Sequence, residues 1–434
     1  MNFEDLNLTQ AAQYIRDGQI SPVEYIHGLL SRIEQVDPRI EAWVTVCREQ
    51  ALVEAKACER ECRQGSFRGP LHGVGIGVKD IFFTKGLRTS AGAKFLADFI
   101  PGYDAHCLTS LRKAGAIVLG KTVTTEFASF DPGPTRNPWN TAHTPGGSSS
   151  GSAAAVAARM CPAALGSQTV GSIGRPAAYC GVVGIMPTQS RVSRSGVFPV
   201  SWTLDHIGGL TRSVADARLL LEGLSGESIS VTRRSERVRM GVVRGFFSAK
   251  ATPETSEIHE RLLTKLGAHF DIVELELPAV FEIQNSILAT ILRTEVASAH
   301  TEYYRKHSML YSRKLRGLVE TGMLVDSLSY LRARRLQKVY QREMRKMIDA
   351  CDVVISPGAM DTAPEGLGYT GDPGFSGPWA LADFPTLTLP CGIASNGMPV
   401  GIQLSAPPMN ESRLFSVAEQ VEGAIGFKAT PPSN

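Results

Sequence analysis

The chain has 434 residues, of which 43% are apolar and 20% are charged, and its formal net charge is +3. This composition is typical of a globular protein with a core large enough to fold without disulfide or metal cross-links. The charge is nearly balanced and no lysine or arginine run is interleaved with aromatic residues, so no nucleic-acid partner is expected.

Eight cysteines are scattered along the chain, and none forms a CxxC pair. Cys58 and Cys62 lie four residues apart on a predicted helix, but no His or Cys pair at zinc-ligand spacing completes a site, so no metal is predicted. Reduced thiols favour a cytoplasmic location. The acidic N-terminus has no apolar run typical of a signal peptide, and no apolar stretch of about 18 residues predicts a membrane helix. No membrane partner is therefore expected.

The first half of the chain alternates helical and strand patterns, as α/β folds do. One strand pattern alternates small and β-branched residues and runs into a polar turn at Lys79, which predicts a buried strand that ends there. The elements predicted in this half are helices over 8–18, 21–36, 46–63 and 106–114, and strands over 73–78 and 116–120.

The second half continues the alternation and adds a long helical stretch. Its predicted elements are strands over 239–243, 270–275, 351–357 and 385–390, a helix over 254–266, and largely helical residues over 281–348. These patterns predict an α/β fold: a single α/β/α domain over residues 1–434 with a central, twisted, mixed β-sheet flanked by helices. The expected core covers about 65–225 and 350–425, and the helical stretch 281–348 is the candidate cap over the active site.

Two segments rich in glycine and serine, 131–152 and 166–174, interrupt this alternation. A flexible linker would not stand between buried patterns, and a P-loop needs a lysine that neither segment contains. A match to the G-x-S-x-G of a nucleophile elbow centres on Ser149, although a long loop rather than a strand precedes it. Asp205 and His206 leave a Ser-His-Asp triad open, although adjacent loop residues rarely present both side chains to one serine.

A serine–lysine arrangement is the remaining alternative. A serine hydroxyl is a weak nucleophile until a base takes its proton. Lysine can be that base when burial lowers its pKa, because desolvation disfavours the ammonium form. Lys79 follows directly on an apolar strand that carries Val74, Ile76 and Val78, so Lys79 is the candidate base.

Residues 145–189, from Pro-Gly-Gly-Ser-Ser-Ser-Gly-Ser to Gly-Ile-Met-Pro-Thr-Gln, resemble the signature of the amidase signature family. The likeness continues at 77–80, 204–208, 390–392 and 397–403. It therefore covers essentially the whole chain and implies the amidase-signature fold. Within the family, Gln168-Thr169 and the run 175–181 most resemble malonamidase-like amidases.

The roles that this resemblance implies are assigned by motif position. They are a base at Lys79, a bridging hydroxyl at Ser148, which follows a cis peptide bond at Gly147, and a nucleophile at Ser172. The implied oxyanion hole consists of backbone N–H groups of Thr169, Val170, Gly171 and Ser172. No metal and no organic cofactor is implied.

Arg175 and Val170 bear on the substrate. Arg175 matches the arginine that malonamidase-like enzymes direct to a substrate carboxylate, and binding to backbone carbonyls beside Pro176 is the alternative reading. Val170 departs from the common family form Asp-Thr-Gly-Gly-Ser, so substrate shape is where this chain is expected to differ. Val170 and apolar residues of the predicted cap hint at an apolar acyl or aryl substrate, with ordinary helix core as the alternative; these cap residues are Met309, Leu310, Leu315, Leu318 and Met323.

The resemblance implies an amidohydrolase that cleaves the C–N bond of small amides or carbamates through an acyl-enzyme. A urethane or aryl ester hydrolase with the same three residues is one alternative. A glutaminase subunit of a tRNA-dependent amidotransferase is another: residues 191–197 resemble that branch, whereas the turn Gln168-Thr169-Val170 disagrees with it. The expected partners are a small-molecule amide, carbamate or ester substrate and, in a homodimer, a second copy of the chain.

Overall fold

The computed structural model describes residues 2–231 and 237–432. In this part of the chain one sheet of eleven strands forms the centre of the molecule. The strands are β1 Trp43–Val46, β2 Gly75–Lys79, β3 Ile117–Thr122, β4 Ala163–Gln168, β5 Val183–Met186, β6 His206–Thr211, β7 Arg239–Val242, β8 Asp271–Glu274, β9 Val353–Pro357, β10 Thr386–Ile393 and β11 Pro399–Ser405. Every residue of β2, β3, β4 and β6 is buried, because helices pack against the sheet.

The order of neighbouring strands is β1-β3-β2-β4-β6-β5-β10-β11-β9-β7-β8. β2 pairs in parallel with β3 and β4, and β7 pairs in parallel with β8 and β9. The other pairs are antiparallel. The sheet is therefore mixed, and the predicted α/β architecture with a central mixed sheet flanked by helices is confirmed.

Several helices, α2 among them, begin at a residue whose side chain caps the first turn. Ser21 accepts the backbone N–H of Val23 at 3.0 Å, and Pro22 occupies the first turn of the second helix, as its pattern predicts. The helices are α1 Leu8–Arg16, α2 Pro22–Ile40, α3 Arg48–Arg63, α4 His106–Lys113, α5 Ser150–Ala157, α6 Gly174–Cys180, α7 Val214–Ser225, α8 Gly245–Lys250, α9 Pro253–Leu266, α10 Gln284–His307, α11 Arg313–Met323, α12 Ser327–Ile348, α13 Gly377–Ala382 and α14 Glu411–Ile425.

Five strands of the sheet, β1, β4, β5, β6 and β11, have no counterpart in the sequence prediction. β4 reads Ala-Ala-Leu-Gly-Ser-Gln and β6 reads His-Ile-Gly-Gly-Leu-Thr, so both largely lack the β-branched residues that mark a strand. The segment 166–174 is strand as far as Gln168 and a turn only afterwards. Small side chains let α5 and neighbouring strands approach this part of the sheet closely.

The predicted helical stretch 281–348 contains three helices, α10, α11 and α12, of which α10 packs against both others. Among its apolar residues, Leu315 is buried and Leu318 is half-buried, whereas Met309, Leu310 and Met323 are exposed. Over residues 2–231 and 237–432, no helix combines the length and the apolar character needed to cross a membrane.

Candidate active site

Lys79 is the last residue of β2, and its side chain is completely buried. Its Nζ atom lies 2.7 Å from Ser148 Oγ, 2.8 Å from Ser167 Oγ and 3.1 Å from Ser149 Oγ. Ser167 belongs to the neighbouring strand β4, and the other two serines immediately precede α5. The structure thus places the predicted base and the predicted bridging hydroxyl within hydrogen-bonding distance.

Burial lowers the pKa of Lys79 well below the ordinary value of 10.5, because the ammonium form would lose its hydration. The negative charge of Asp205 opposes this lowering of the pKa. Nζ can donate to the hydroxyl oxygens of the three neighbouring serines. Lys79 is therefore in an environment that favours a proton acceptor.

Ser148 follows a cis peptide bond to Gly147, as the resemblance implies. Arg175 donates from one terminal nitrogen to the carbonyl of Gly147 and from the other to the carbonyl of Gly371. Its side chain is buried, and burial lowers its pKa. These contacts fix the backbone that carries Ser148 and match the carbonyl-binding reading of Arg175; its contact with a substrate carboxylate stays a prediction.

Ser172 lies in the turn between the end of β4 at Gln168 and the start of α6 at Gly174. Gln168 Oε1 accepts the N–H of Ile173 at 2.8 Å and the N–H of Gly174 at 2.9 Å. The carbonyl oxygen of Ser172 accepts the N–H of Ser149 at 3.2 Å. The turn with the predicted nucleophile is thereby held against the segment that carries the bridging serine.

Two further contacts shape the predicted oxyanion turn. Thr169 Oγ1 donates to Asp205 Oδ1 at 2.6 Å, and Asp205 Oδ2 accepts the N–H of Val200 at 2.9 Å. Burial raises the pKa of Asp205, while these hydrogen bonds favour its ionised form. A Cβ atom at Gly171 would lie only 2.8 Å from Pro373 Cβ, so a larger residue would push this turn out of place. That the N–H groups of this turn bind an oxyanion stays a prediction.

The alternative nucleophiles and bases have different surroundings. Ser149 is completely buried beside Lys79, whereas the central serine of an elbow must be exposed to substrate. The Asp205 carboxylate binds Thr169 rather than a histidine, and His206 Nδ1 lies 3.3 Å from the carbonyl oxygen of Gln168. His206 Nε2 lies 3.4 Å from Asp383 Oδ1, so both ring nitrogens of His206 face oxygen atoms other than a serine hydroxyl, and Asp205 does not pair with His206 as a Ser-His-Asp triad requires.

Ser172 lines a pocket together with residues from several parts of the chain. The loop that follows β3 contributes Phe130, and the oxyanion turn contributes Val170. Leu292 of α10 and Leu318 of α11 also line this pocket. The pocket beside the predicted nucleophile is therefore lined in part by the predicted cap helices.

One group of three possible metal ligands, Cys58, Glu61 and His72, occurs among the residues that the structure describes. Glu61 already binds the guanidinium of Arg68 at 2.6 and 2.7 Å. His72 Nε2 lies 3.1 Å from the carbonyl oxygen of Cys58, and His72 Nδ1 accepts the N–H of Arg68 at 3.2 Å. The potential ligand atoms of Glu61 and His72 are thus engaged within the chain.

Sequence reasoning missed several residues of this site. Ser149 and Ser167 contact Lys79, but a serine in a glycine-rich segment carries no mark of which hydroxyl turns inward. Phe130 and Leu292 line the pocket from sites far apart in the sequence. For Ser167, the available signal in the sequence was its position directly before Gln168 in the recognised motif.

A buried lysine at the end of an inner strand of an eleven-stranded mixed sheet, with three serine hydroxyls around it, places the protein in the amidase-signature class. The model of the Amidase family matches residues 24–415, so the chain belongs to the amidase family. The closer likeness to malonamidase-like members stays a prediction.

Curated relatives are similar over nearly their full length. The A subunit of glutamyl-tRNA(Gln) amidotransferase from Geobacter metallireducens is 33% identical, with 98% of this chain and 99% of that protein covered. The protein of the same name from Desulfosudis oleivorans is 34% identical, with 99% of each covered. Family and relatives support an enzyme that acts on C–N bonds as a hydrolase or an amidotransferase.

Solved structures have the same fold. A crystal structure of an amidase has a TM-score of 0.89 at 32% identity and covers 96% of this chain and 99% of its own. Peptide amidase from Stenotrophomonas maltophilia has a TM-score of 0.84 at 28% identity, with 99% and 98% covered. A chain described as part of a vestigial protein complex related to an s-triazine catabolic enzyme has a TM-score of 0.88 at 29% identity, with 98% and 100% covered.

The sequence prediction about partners is wrong. It expected a small-molecule amide, carbamate or ester, no nucleic acid, no membrane and at most a second copy of the chain. The curated relatives are named as one subunit of an amidotransferase, and one structural neighbour is part of a protein complex. These names favour the amidotransferase alternative over the stand-alone hydrolase. Composition could not reveal a partner chain, because an interface is about as apolar as the rest of a protein surface.

Proposed function

We propose that this protein hydrolyses a carboxamide C–N bond through an ester on Ser172, with Lys79 as the base and Ser148 as the hydroxyl between them. The observation that carries the proposal is the 2.7 Å separation of Lys79 Nζ and Ser148 Oγ, together with complete burial of the lysine. Burial lowers the pKa of Lys79, so a neutral amine is available to accept a proton.

The acylation step moves two protons and forms one bond. Lys79 takes the proton of the Ser148 hydroxyl while Ser148 takes the proton of the Ser172 hydroxyl, and Ser172 Oγ adds to the carbonyl carbon. Backbone N–H groups of the turn 169–172 hold the oxyanion, and each well-aimed donor contributes about 3 kcal/mol. The C–N bond then breaks, and Ser148 gives its proton to the leaving nitrogen while Lys79 returns a proton to Ser148.

Deacylation repeats these steps with water as the nucleophile. The relay takes one proton from the water, the carboxylic acid leaves, and Ser172 regains its hydroxyl proton. A carbamate or an aryl ester offers a similar carbonyl to the same nucleophile, so the same relay serves for those substrates. No step needs a metal or an organic cofactor.

Ammonia release from primary carboxamides tests the reaction. Ser172→Ala, Ser148→Ala and Lys79→Ala should each lower kcat by at least about 10³-fold, because each removes a member of one proton path. Ser150→Ala is the matched control: Ser150 is buried two residues after Ser148 and contacts the carbonyl of Val123 instead of the lysine. Near-normal turnover in any of the three relay variants would contradict the proposal.

The names of the relatives support a second part of the proposal: the protein acts in a complex with another chain. They are named as one subunit of an amidotransferase, and a structural neighbour belongs to a protein complex. By this likeness the ammonia that Ser172 chemistry releases passes to a partner that uses it, and glutamine is the donor amide to test first.

Isolation of the tagged protein from its native cells, after chemical cross-linking, tests this element. The expected result is a stoichiometric second polypeptide that raises the rate of ammonia release from glutamine when the two are recombined. Recovery of the chain alone or as a homodimer, with a rate that added cell extract does not change, would contradict the role in a complex. The relay variants test the chemistry independently of this outcome.

A further inference from the structure

A groove separate from the pocket of Ser172 is lined by residues of the sheet edge and of the predicted cap. Its volume is about 650 Å³. The edge strand β1 contributes Trp43 and Val44, and the residues just before α11 contribute Met309 and Leu310. Among the described residues, the groove and the pocket of Ser172 share no lining residue. The groove is therefore a surface that the reaction at Ser172 does not use.

Large apolar side chains of this groove are open to solvent. Met309 is 81% exposed, Leu310 is 49% exposed and Val44 is 45% exposed. Exposed apolar residues are ordinary where they are scattered singly, but these three line one depression. Because removal of apolar surface from water favours association, a fitting occupant presents apolar side chains to them.

The charges that the groove offers to an occupant are positive. Arg88 and Lys94 line it with exposed side chains, and neither side chain has an ion pair or a hydrogen bond within the described part of the chain. The carboxylates of the groove are already used: Glu126 Oε2 accepts the N–H of Ser312 at 2.9 Å, and Asp131 Oδ2 accepts the hydroxyl of Ser312 at 2.7 Å. A complementary occupant therefore carries carboxylates beside its apolar side chains.

This combination favours a polypeptide over other anionic partners. The phosphates of an RNA would match Arg88 and Lys94, but they would leave Met309 and Leu310 against a polar backbone. A small anion would leave the same two side chains exposed. A second chain is already part of the proposed function, so a segment of that chain is the occupant that fits both the charge and the apolar surface.

One short segment of the loop after β3 lies between the groove and the active site. Glu126 and Asp131 line the groove, whereas Ala128 and Phe130, which stand between them in the chain, line the pocket that contains Ser172. An occupant of the groove therefore borders the two ends of a segment whose middle forms part of the pocket.

The backbone of this segment depends on its surroundings. It is left-handed at Phe127, where φ is 45°, and at Ala128, where φ is 55°. Residues other than glycine adopt this conformation rarely, so neighbouring structure has to hold it. Contacts from the groove side are suited to that task, because the ends of the segment are accessible there.

We propose that this groove is the docking site for a segment of the partner chain that carries carboxylates beside apolar side chains, and that the docked segment holds residues 126–131 in place beside Ser172. The proposal rests on the second part of the proposed function, which is action in a complex. It adds the surface, the chemistry of the partner and the connection to the active site.

Photo-cross-linking tests where the partner docks. In the tagged full-length chain, p-benzoylphenylalanine replaces Leu310, native cells are irradiated, and the adduct is mapped by mass spectrometry. The same replacement at Leu331 is the matched control, because Leu331 is an exposed leucine of α12 outside the groove. Adducts from position 310, but not from position 331, should lie in one segment of the stoichiometric second polypeptide, within a few residues of Asp or Glu. Adducts with RNA, with lipid or with a second copy of this chain would overturn the proposal.

Charge reversal tests the chemistry of the partner. Arg88→Glu/Lys94→Glu should raise the Kd for the recovered polypeptide by at least about tenfold, and added salt should weaken the wild-type complex. Arg335→Glu/Lys338→Glu is the matched control, because it reverses two exposed charges of α12 outside the groove and should change the Kd by less than about threefold. All four side chains are exposed, so the urea midpoints should match that of the wild type. Equal Kd values for the two double variants would contradict the proposal.

Amide hydrogen exchange tests the connection to the active site. Addition of the recovered polypeptide should slow exchange at residues 128–130 by at least about tenfold, although these residues line the pocket rather than the groove. Unchanged exchange at 128–130 in the bound protein would overturn the claim that docking holds this segment.

The outcomes separate this proposal from the proposed function. If the wild type recovers no second polypeptide, the action in a complex is contradicted and this proposal falls with it. If a stoichiometric polypeptide is recovered but cross-links only from position 331, the docking site is wrong, whereas the complex and the chemistry of Ser172 stand.

Discussion

Three hydroxyl groups around one buried amine give Lys79 an environment that its sequence position alone does not reveal. Ser148, Ser149 and Ser167 lie within 3.1 Å of Lys79 Nζ, and they come from two separate segments of the chain. Desolvation lowers the pKa of Lys79, although three hydroxyl oxygens lie within hydrogen-bonding distance of its Nζ atom. Lys79 is thus completely buried and still has hydrogen-bonding partners for its polar end.

The lowered pKa predicts the pH dependence of the reaction. Because Lys79 must be neutral to accept a proton, kcat/KM should stay constant at alkaline pH and fall only as the pH approaches the lowered pKa, well below 10.5. The measurement is a pH profile of ammonia release with a neutral amide. A profile that already falls below about pH 10, as an ordinary lysine would give, would contradict the assignment of the base.

At the residue scale, the sequence predicted the residues assigned to the reaction better than the residues that contact them. Lys79, Ser148 and Ser172 stand in a long recognised motif, and the structure places the first two in direct contact. Ser167 could not be assigned, because which serine points toward the lysine depends on strand register. The backbone contacts of Arg175 likewise depend on Gly371, which lies nearly 200 residues away in the chain.

At the scale of elements, α10 joins the pocket wall to the oxyanion turn. Glu295 on α10 binds the loop that contains Ser201 and Thr203, and Asp205 at the end of that loop binds Thr169. A continuous series of hydrogen bonds therefore links the helix to the turn before Ser172. The position of α10 and the geometry of the turn are coupled in this structure.

Glu295→Leu tests this coupling. The substitution leaves the N–H and hydroxyl of Thr203 without their acceptor, which should lower the free energy of unfolding by about 1–3 kcal/mol and reduce turnover. Urea unfolding and ammonia release are the measurements. Glu302→Leu is the control on the same helix, because Glu302 is exposed and pairs only with Arg305 among the contacts described. Equal effects of the two substitutions would argue against the coupling.

The elements differ in how well their patterns revealed them. The amphipathic α2 carries a cap, a first-turn proline and an apolar stripe, so its pattern alone sufficed. β4 and β6 contain glycine, alanine and serine at the centre of the sheet and look like turns in the sequence. Their strand conformation depends on pairing with neighbours distant in sequence, which no local pattern encodes.

At the scale of the whole molecule, burial of Lys79 lowers the free energy of unfolding at any pH at which the unfolded chain would carry the lysine's proton. The folded protein binds the Lys79 proton less tightly than the unfolded chain, in which the pKa is about 10.5. The stability contribution of Lys79 is therefore full above that value and is lost as the pH falls toward the lowered pKa of the folded state. Stability of the entire fold is thus linked to one proton.

Lys79→Met removes this linkage. The free energy of unfolding of the wild type, relative to that of Lys79→Met, should rise with pH by up to about 1.4 kcal/mol per pH unit between the lowered pKa and 10.5. Urea unfolding of both proteins from about pH 6 to about pH 9 measures the difference, in which the titration of all other groups largely cancels. A difference that does not change with pH would contradict the lowered pKa.

A partner chain, which the relatives' names indicate, was not among the partners expected from the sequence. The sequence indicates the fold through its buried apolar residues, which recur at the regular spacing of a helix or a strand. A surface that binds another chain needs no such periodicity, so the assembly indicated by the relatives' names had no counterpart in composition or charge. The helices α10 to α12 were predicted as helical, but their contribution to the pocket required the tertiary structure.

The most direct measurement of the central claim is peptide mapping by mass spectrometry after reaction with a fluorophosphonate. A single adduct on Ser172 is expected in the wild type, with labelling slowed by at least about 10³-fold in both Ser148→Ala and Lys79→Met. An adduct on another serine, or labelling of Ser172 at an undiminished rate in these two variants, would contradict the lysine–serine–serine relay.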